Sequence, residues 1–290
     1  MTHILVTGAN GQLGSELRDL EQQFPQYTFF FTDRSELDIT NKTAIEDYCK
    51  AQDIHLIINA AAYTAVDKAE TEQAQCWAVN CTAVEHLAEV AKTQGIGLVQ
   101  ISTDYVFDGK KTTPYMETDA TRPQTVYGKS KLAGEQAIKR IAPKNSIIIR
   151  TSWVFSSHGH NFVKTMLRLA KERDTVAVVY DQLGCPTYAA DLAKAILNIV
   201  PQLDNDTPAL YHFTNKGVSS WFDFANAIFE FAKLDITVEA IETARYPTAA
   251  KRPLYSVMKI KAIEAKYGLD IPKWRVALQA CLQKIQKAQS

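Results

Sequence analysis

The fold is decided near the start of the chain by Ile4-Leu5-Val6-Thr7-Gly8-Ala9-Asn10-Gly11-Gln12-Leu13-Gly14. An apolar, β-branched run breaks here into three glycines spaced three residues apart, and leucines at helical spacing follow. This order predicts a strand, a tight turn and a helix. Gly8 permits the turn, Gly11 lets backbone approach a pyrophosphate, and Gly14 lets the helix pack closely on the strand. The stretch therefore predicts a dinucleotide-binding unit whose helix start faces the phosphates.

The composition argues against several classes of protein. The 290 residues carry 32 basic and 32 acidic side chains, so no basic surface indicates a nucleic-acid partner. No apolar run reaches the roughly 18 residues of a membrane-spanning helix, and the first residues lead straight into a strand, which predicts no signal peptide and no membrane partner. The five cysteines are scattered without a CxxC pair. That usage is typical of a reducing cytoplasm, where we expect the protein to act.

The order of strands and helices predicts a Rossmann-type, doubly wound parallel sheet. Buried strands after the first are predicted at 27–32, 55–59, 97–102 and 146–150. Nearly continuous apolar strands that alternate with helices, such as a long one at about 72–94, are typical of a parallel sheet covered on both faces. Right-handed crossovers then place the carboxyl ends of all strands at one edge, where a ligand binds.

The strict alternation loosens from about residue 156. Helices are predicted at 162–173, 191–200, 221–234 and 274–287, and a strand at 176–180. We therefore expect a dinucleotide-binding domain over 1–155 and a smaller, mainly substrate-binding lobe over 156–290. Some later segments are expected to return to the sheet.

Two neighbouring residues give opposing signals about the nicotinamide cofactor. Asp33 ends the second strand, at the distance from Gly11 where an acid commonly binds the adenosine ribose hydroxyls. Arg34 beside it could instead bind a 2′-phosphate, because a guanidinium suits phosphate geometry. NADH and NADPH therefore both remain candidates.

Three residues could carry out a carbonyl reduction. Tyr127 and Lys131 are four apart, so on a helix they share one face, and the lysine would lower the pKa of the phenol. Such a tyrosine donates a proton to a carbonyl oxygen as hydride reaches the carbon. Thr103, at the carboxyl end of the fourth strand, supplies a hydroxyl that orients the same oxygen. Together with the glycine turn, this set predicts a nicotinamide-dependent oxidoreductase.

These motifs resemble those of the extended short-chain dehydrogenase/reductases and, more narrowly, of the dTDP-4-dehydrorhamnose reductases. The matching segments are 59–70, 102–107, 126–135, 150–154 and 161–167. The resemblance covers almost the whole chain and weakens after about residue 260. It implies that NAD(P)H reduces the C4 keto group of dTDP-4-dehydro-6-deoxy-L-mannose to give dTDP-L-rhamnose, a step of nucleotide-sugar and polysaccharide biosynthesis.

The resemblance also implies site residues by position. Tyr127 would donate the proton, Lys131 would bind the nicotinamide ribose, and Thr103 would contact the sugar. The implied cofactor-binding residues are Gly8, Asn10, Gly11, Gln12, Leu13, Gly14, Asp33, Asp38, Ile39, Ala62, Tyr63, Thr64, Tyr127 and Lys131. The implied substrate-binding residues are Thr103, Asp104, Trp153 and Arg252. For Arg252 the chemistry agrees, because a guanidinium matches a diphosphate.

Two other functions stay open at this point. A non-catalytic NADP-binding protein, similar to the regulatory subunit of methionine adenosyltransferase, would be favoured by loss of the catalytic tyrosine and lysine, and both are present. A nucleotide-sugar epimerase would use the cofactor transiently, as would a dehydratase. A dehydratase would also need a glutamate after Asp104, where Tyr105 stands.

A metal site is not predicted. Some relatives are described as metal-bridged dimers through glutamates, and Glu16 and Asp191 occupy comparable positions. Asp191 is shorter than a glutamate, however, and no matching C-terminal glutamate is evident. A homodimer is left open.

Overall fold

The structure is a computed structural model that describes residues 1–288. Its strands are β1 (Thr2–Thr7), β2 (Tyr27–Thr32), β3 (Leu56–Asn59), β4 (Gly97–Thr103), β5 (Ser146–Thr151), β6 (Val154–Phe155), β7 (Thr175–Val179), β8 (Leu183–Gly184), β9 (Thr187–Tyr188), β10 (Ala209–His212), β11 (Ser219–Ser220) and β12 (Thr237–Ile241). Its α-helices are α1 (Gln12–Leu20), α2 (Lys42–Ala51), α3 (Gln73–Trp77), α4 (Ala83–Gln94), α5 (Val126–Ile141), α6 (Phe162–Leu169), α7 (Ala189–Ile199), α8 (Trp221–Ala232), α9 (Lys261–Tyr267) and α10 (Trp274–Lys287).

A six-stranded sheet in the order β2-β1-β3-β4-β5-β10 forms the centre of the molecule. All of its neighbouring strands are parallel. The predicted Rossmann-type sheet is therefore confirmed. Strand β10, from the second half of the chain, extends the sheet beyond β5.

Alternating residues of each central strand face opposite sides of the sheet. Ile4 of β1 packs against α1 and α7 on one side, whereas its neighbour Leu5 packs against α2 and α4 on the other. Ile57 and Ile58 of β3 divide in the same way. Burying each such side chain stabilises the fold by about 1.5–3 kcal/mol, and because both faces are covered, the sheet offers only its edges and strand ends to a ligand.

The helix predicted at 72–94 is wrong in one respect, because it is broken in the middle. A π-helical turn at Ala78–Thr82 separates α3 from α4. Within that turn the Asn80 side chain accepts a hydrogen bond from Tyr63 N at 2.9 Å and donates to Tyr63 O at 3.0 Å. Helical periodicity carries no sign of this long-range pairing, which ties the helix to the segment after β3.

The helix predicted at 162–173 ends four residues early, at Leu169. Residues 171–173 are exposed and polar, so they have no apolar contact that would extend the helix. Helix α2 begins after Asn41, whose side chain accepts a hydrogen bond from Ala44 N at 3.2 Å and so caps the helix.

A separate hydrophobic cluster holds α6, α8, α10 and β7 together in the second half of the chain. Helix α7 instead packs on α1 beside the central sheet. The division into two domains near residue 155 stays a prediction. Among residues 1–288, each helix is too short or too polar to cross a membrane.

Candidate active site

The turn between β1 and α1 accepts only glycine at two positions. Gly8 has φ +69°, and a Cβ there would lie 2.6 Å from Ala61 N. A Cβ on Gly14 would lie 2.5 Å from Gly8 O. At Gly11 the nearest atom, again Gly8 O, would be 3.2 Å away, so this position is tight but not closed. Gly8 and Gly14 therefore determine the shape of the turn. Gly11 leaves the outer surface of the turn without a side chain.

Helix α1 begins at this turn without a side-chain cap. In contrast, Asn41 caps α2 and Thr125 caps α5. An uncapped helix start leaves backbone N–H groups that can bind a phosphate. Leu13 is buried in the core and the Gln12 amide contacts Val154 O at 3.5 Å, so both would serve a pyrophosphate through their backbone. The turn fits the predicted dinucleotide.

The carboxylates predicted to hold the adenosine lie just beyond β2. Asp33 accepts hydrogen bonds from Asn10 Nδ2 at 2.7 Å and from Ser35 N at 2.8 Å. The bonds from Ser35 lower the pKa of Asp33, which keeps this carboxyl ionised. Asp38 lies 3.9 Å from Arg34. The structure therefore keeps both the acid and the arginine at this end of the site.

Four other predicted cofactor contacts lie in loop segments that neighbouring residues hold in place. Ile39 is buried on the α2 side of the sheet. Ala62, Tyr63 and Thr64 follow β3, where Asn80 fixes the Tyr63 backbone and the Tyr63 hydroxyl donates to Glu72 at 2.6 Å.

The predicted catalytic groups come from β4 and α5. Thr103 ends β4, and Tyr127 and Lys131 lie one turn apart on α5. The Thr103 side chain lies beside the Tyr127 hydroxyl; burial raises the pKa of this phenol, and Thr103 acts in the opposite direction. Because Gly128 has no Cβ, α5 can approach the backbone of Tyr105 closely. The structure thus brings all three residues together.

The predicted lowering of the Tyr127 pKa by Lys131 is wrong for the chain alone. Burial is the largest influence and raises the pKa of Tyr127. The Lys131 ammonium donates to Ile101 O at 2.6 Å, and burial lowers its own pKa to about 8. The helical spacing suggested that the Lys131 charge would lower the pKa of Tyr127. The desolvation of both groups outweighs that influence.

Asp104 offers a free acceptor next to Thr103. Its Oδ1 accepts from the Thr103 hydroxyl at 3.0 Å, whereas its Oδ2 and the nearby Ser256 hydroxyl are both buried and neither forms a hydrogen bond among the described residues. Burial raises the pKa of this carboxyl to about 6, against weaker lowering by Ser256 and Thr103. An unpaired buried oxygen is costly, so this atom is suited to a hydroxyl of a bound sugar.

Arg252 joins these residues to a neighbouring cavity. Its Nη1 donates to the Tyr105 hydroxyl at 2.9 Å, and its Nη2 forms an ion pair with Asp67. Asp67 also accepts from Ala250 N at 3.0 Å. Tyr105 and Asp67 therefore hold the Arg252 guanidinium in one orientation.

The cavity itself has a volume of about 580 Å³ and a largely apolar wall. Tyr105 and Arg252 form part of the wall, together with Trp153, Trp221 and Phe162. Thr103 and Tyr127 are not part of the wall. The Tyr105 ring, which packs against Tyr127 at 5.5 Å between centroids, connects the two regions.

Trp153 lies where the resemblance implied, but its setting was not predicted. Its ring stacks on that of Trp221 at 3.7 Å between centroids and 9° between planes. Its backbone has φ +49°, and Gly184 leaves room for the indole, from which a Cβ would be only 2.5 Å away. Trp221 was missed: a capping box of Ser220 and Asp223 marks the helix start beside it, but nothing local marks its distant partner.

A lysine ammonium occupies the cluster of acids around Glu16. Lys284 Nζ donates to Glu16 at 2.5 Å and to Asp19 at 2.6 Å. His158 Nε2 lies 2.7 Å from the same Asp19 oxygen. Asp191 hydrogen bonds to Asn215 instead, at 2.7 Å. The absence of a metal stays a prediction, and Lys284 already supplies a cation at these acids.

Comparison with known proteins agrees with this geometry. The family described as RmlD substrate binding domain matches residues 1–287. A curated dTDP-4-dehydrorhamnose reductase of Aggregatibacter actinomycetemcomitans is 45% identical over 288 residues, covering 96% of this chain and 98% of that protein. The enzyme of the same name from Escherichia coli (strain K12) is 38% identical over 293 residues, with 98% of each chain covered.

Solved structures extend the comparison. A dTDP-4-dehydrorhamnose reductase of Bacillus anthracis in complex with NADP has a TM-score of 0.93 at 38% identity, covering 98% of this chain and 100% of that one. The resemblance inferred from the sequence and the predicted reductase class are confirmed. The chain belongs to the RmlD substrate binding domain family.

Proposed function

We propose that the chain reduces the C4 keto group of dTDP-4-dehydro-6-deoxy-L-mannose to give dTDP-L-rhamnose. The observation that carries this proposal is that Thr103, Tyr127 and Lys131 lie together, and that the Tyr105 ring connects Tyr127 to a cavity whose wall includes Arg252. The first three residues suit a carbonyl reduction, and Arg252 suits a diphosphate. The relatives' shared name supports the same reaction.

NADPH or NADH would bind along the turn that starts at Gly8 and supply the hydride. The Bacillus anthracis relative is solved with NADP, which supports NADPH. We propose the implied set as the contacts: the α1 start for the pyrophosphate, Asn10, Asp33, Asp38 and Ile39 near the adenosine, and residues 62–64 across the sheet. Lys131 would bind the nicotinamide ribose.

The chain's own residues would handle the carbonyl oxygen. Tyr127 donates the proton to that oxygen, and Thr103 holds it by a hydrogen bond. The free Oδ2 of Asp104 accepts from a sugar hydroxyl, Trp153 covers an apolar face of the sugar, and Arg252 binds the diphosphate. Because Tyr127 and Lys131 are both almost fully buried, bulk water is kept from the proton transfer.

The dehydratase alternative fits the site less well. Tyr105 stands where a dehydratase would need a glutamate, and its hydroxyl is already bound to Arg252. The regulatory alternative needs no proton donor, so it would give no role to the Tyr127 hydroxyl beside Thr103. We place the reaction in the cytoplasm, a proposal that the five free cysteines support. A homodimer stays a prediction that sedimentation of the purified chain would test.

The test is the absorbance of the reduced nicotinamide, followed with purified chain and dTDP-4-dehydro-6-deoxy-L-mannose. NADPH and NADH are used separately, each with a reaction lacking the sugar and one lacking the chain. We expect a loss of absorbance that requires both, with dTDP-L-rhamnose as the product. Cofactor binding without any consumption would overturn the proposal and favour the regulatory alternative.

A further inference from the structure

A buried ion pair lies on the catalytic face of α5, one helical turn beyond Lys131. Glu135 is 1% exposed and Arg150 of β5 is 2% exposed. The Glu135 carboxylate accepts from Arg150 Nε at 2.9 Å, from Arg150 Nη2 at 2.7 Å and from the Ser102 hydroxyl at 2.5 Å. Three donors suit a carboxylate, which only accepts hydrogen bonds. The pair is far too buried to be a surface contact of little energetic value.

Its position along α5 connects it to the reaction. Tyr127, Lys131 and Glu135 are spaced by four residues, so they follow one face of the helix. That face lies against β4: Tyr127 meets Thr103, Lys131 donates to Ile101 O at 2.6 Å, and Glu135 accepts from Ser102. The helix is thus attached to three consecutive residues of the strand that carries Thr103.

Glu135 lies one helical turn from the buried ammonium of Lys131, and its carboxylate is ion-paired with Arg150 rather than in direct contact with that ammonium. Burial favours the neutral amine, and Glu135 is the largest opposing influence on the Lys131 pKa. Cys76 of α3 acts in the same direction and more weakly. Tyr127 shares the helix face, and Asp104 acts on Tyr127 from the turn after β4. Without the Glu135 charge, the environment would favour the uncharged lysine.

We infer that Glu135 is a positioning residue: held by Ser102 of β4 and by Arg150, it fixes α5 against β4 and places a negative charge one helical turn from Lys131, which favours the ammonium form of that lysine and so sets the alkaline limit of cofactor binding and reduction. This inference rests on the proposed function for the reduction, but the charge on Lys131 can be followed without it. Glu135 touches neither substrate nor cofactor in this role.

The experiment titrates Lys131 in the chain alone. Lysine is labelled with ¹³C at Cε, and the Lys131 resonance is identified by its loss in Lys131→Met. In the parent, Lys131 is expected to titrate near pH 8, because burial lowers its pKa to about 8. In Glu135→Gln, which keeps the shape and loses the charge, we expect the midpoint to fall by about one pH unit. The affinity for NADPH, measured against pH, should then decline at correspondingly lower pH.

Two variants separate this role from a structural one. Ser102→Ala removes a hydrogen bond to Glu135 and leaves the charge, so it should lower the melting temperature without moving the midpoint. Glu135→Asp keeps a carboxylate and should return the midpoint toward that of the parent. Glu135→Gln could fail to fold because it leaves Arg150 unpaired. In that case Glu135→Gln/Arg150→Met, which removes both charges, should fold, and its Lys131 midpoint should lie below that of the parent.

An unchanged Lys131 midpoint in a folded variant without the Glu135 charge would overturn the inference. A midpoint that falls equally in Ser102→Ala would also overturn it, since damage to packing would then explain the shift. A parent chain that consumes no cofactor would defeat the proposed function alone, because the titration is read without cofactor or sugar.

Discussion

The guanidinium of Arg252 donates to the hydroxyl of Tyr105 across 2.9 Å, which fixes a cation at the point where the cavity meets the catalytic end of the site. The chain segments that carry the two residues are remote in sequence. Asp67 holds the other side of the guanidinium. A ligand that spans from Tyr127 into the cavity must therefore pass this charge.

Replacing Arg252 by alanine should weaken substrate binding. We expect the KM for the dTDP-sugar to rise about 10- to 100-fold, because one or two charge-assisted hydrogen bonds are lost. The affinity for NADPH should not change. Arg245→Ala, which removes an exposed arginine paired with Glu239, is the matched control. Equal effects of the two substitutions would contradict the assignment.

Removing the Tyr127 hydroxyl should stop the reaction without releasing the cofactor. In Tyr127→Phe we expect kcat to fall by about 10²- to 10⁴-fold, the usual contribution of a positioned proton donor. Cofactor affinity, measured by fluorescence titration, should stay at the parent value because the ring still packs against Tyr105. Near-normal turnover would remove Tyr127 from the role of proton donor.

Asp104 should give the reaction an acidic limit. Its pKa in the folded chain is raised from 3.8 to about 6, so its acceptor form is lost as the pH falls through 6. We expect kcat/KM for the sugar to decline as the pH falls through 6. Asp104→Asn should lower kcat/KM and remove this acidic decline from the pH profile. The free energy of unfolding should change in the opposite direction. Burying the ionised Asp104 is unfavourable above pH 6, and because the folded chain takes up a proton between pH 6 and 4, the chain becomes more stable in that range. A thermal melt at each pH would therefore separate loss of activity from unfolding.

Alanine substitutions at two glycines of the first turn should have different effects, one on the stability of the fold and the other on cofactor binding. Gly14→Ala forces a Cβ to within 2.5 Å of backbone, so we expect a loss of stability of about 1–3 kcal/mol or more. Gly11→Ala meets only one atom at 3.2 Å and should fold, but with NADPH affinity reduced on the order of tenfold, because the methyl group covers the surface that a pyrophosphate would approach. Chemical unfolding and cofactor titration of both variants check this; identical behaviour would contradict it.

Trp221 should matter for substrate although it was not recognised in the sequence. Trp221→Ala removes the stacking partner of Trp153, worth about 0.5–1.5 kcal/mol beyond its buried area. We expect a KM for the sugar that is raised roughly tenfold, with cofactor affinity unchanged. Trp77→Ala, at an exposed tryptophan of α3, serves as the control. A KM equal to that of the parent would show that the stack has no part in binding.

The features that were predicted correctly from the sequence are those that depend on residues close together in the chain. The glycine spacing identified β1, the turn and α1, and the four-residue spacing identified the catalytic face of α5. The π-helical turn at 78–82 was missed because its cause is the pairing of Asn80 with Tyr63, which no periodicity reveals. The Trp153–Trp221 stack and the Arg252–Tyr105 bond were missed for the same reason.

The pKa of Tyr127 shows a second limit. Helical spacing correctly placed Lys131 one turn away from Tyr127, but spacing contains no measure of how deeply the two side chains are buried. Desolvation then reversed the expected direction. Adjacency can be predicted from spacing, whereas the balance between a neighbouring charge and the loss of water needs the folded structure.

The ion pair between Glu16 and Lys284 has a consequence for how the protein is made. Glu16 is buried on the first helix of the chain, and the ammonium that neutralises it is 268 residues downstream. During synthesis the amino-terminal unit leaves the ribosome long before its partner, so Glu16 stays hydrated at first and gains its ion pair late. The dinucleotide-binding turn can therefore reach its final stability only after the last helix has been translated and has docked.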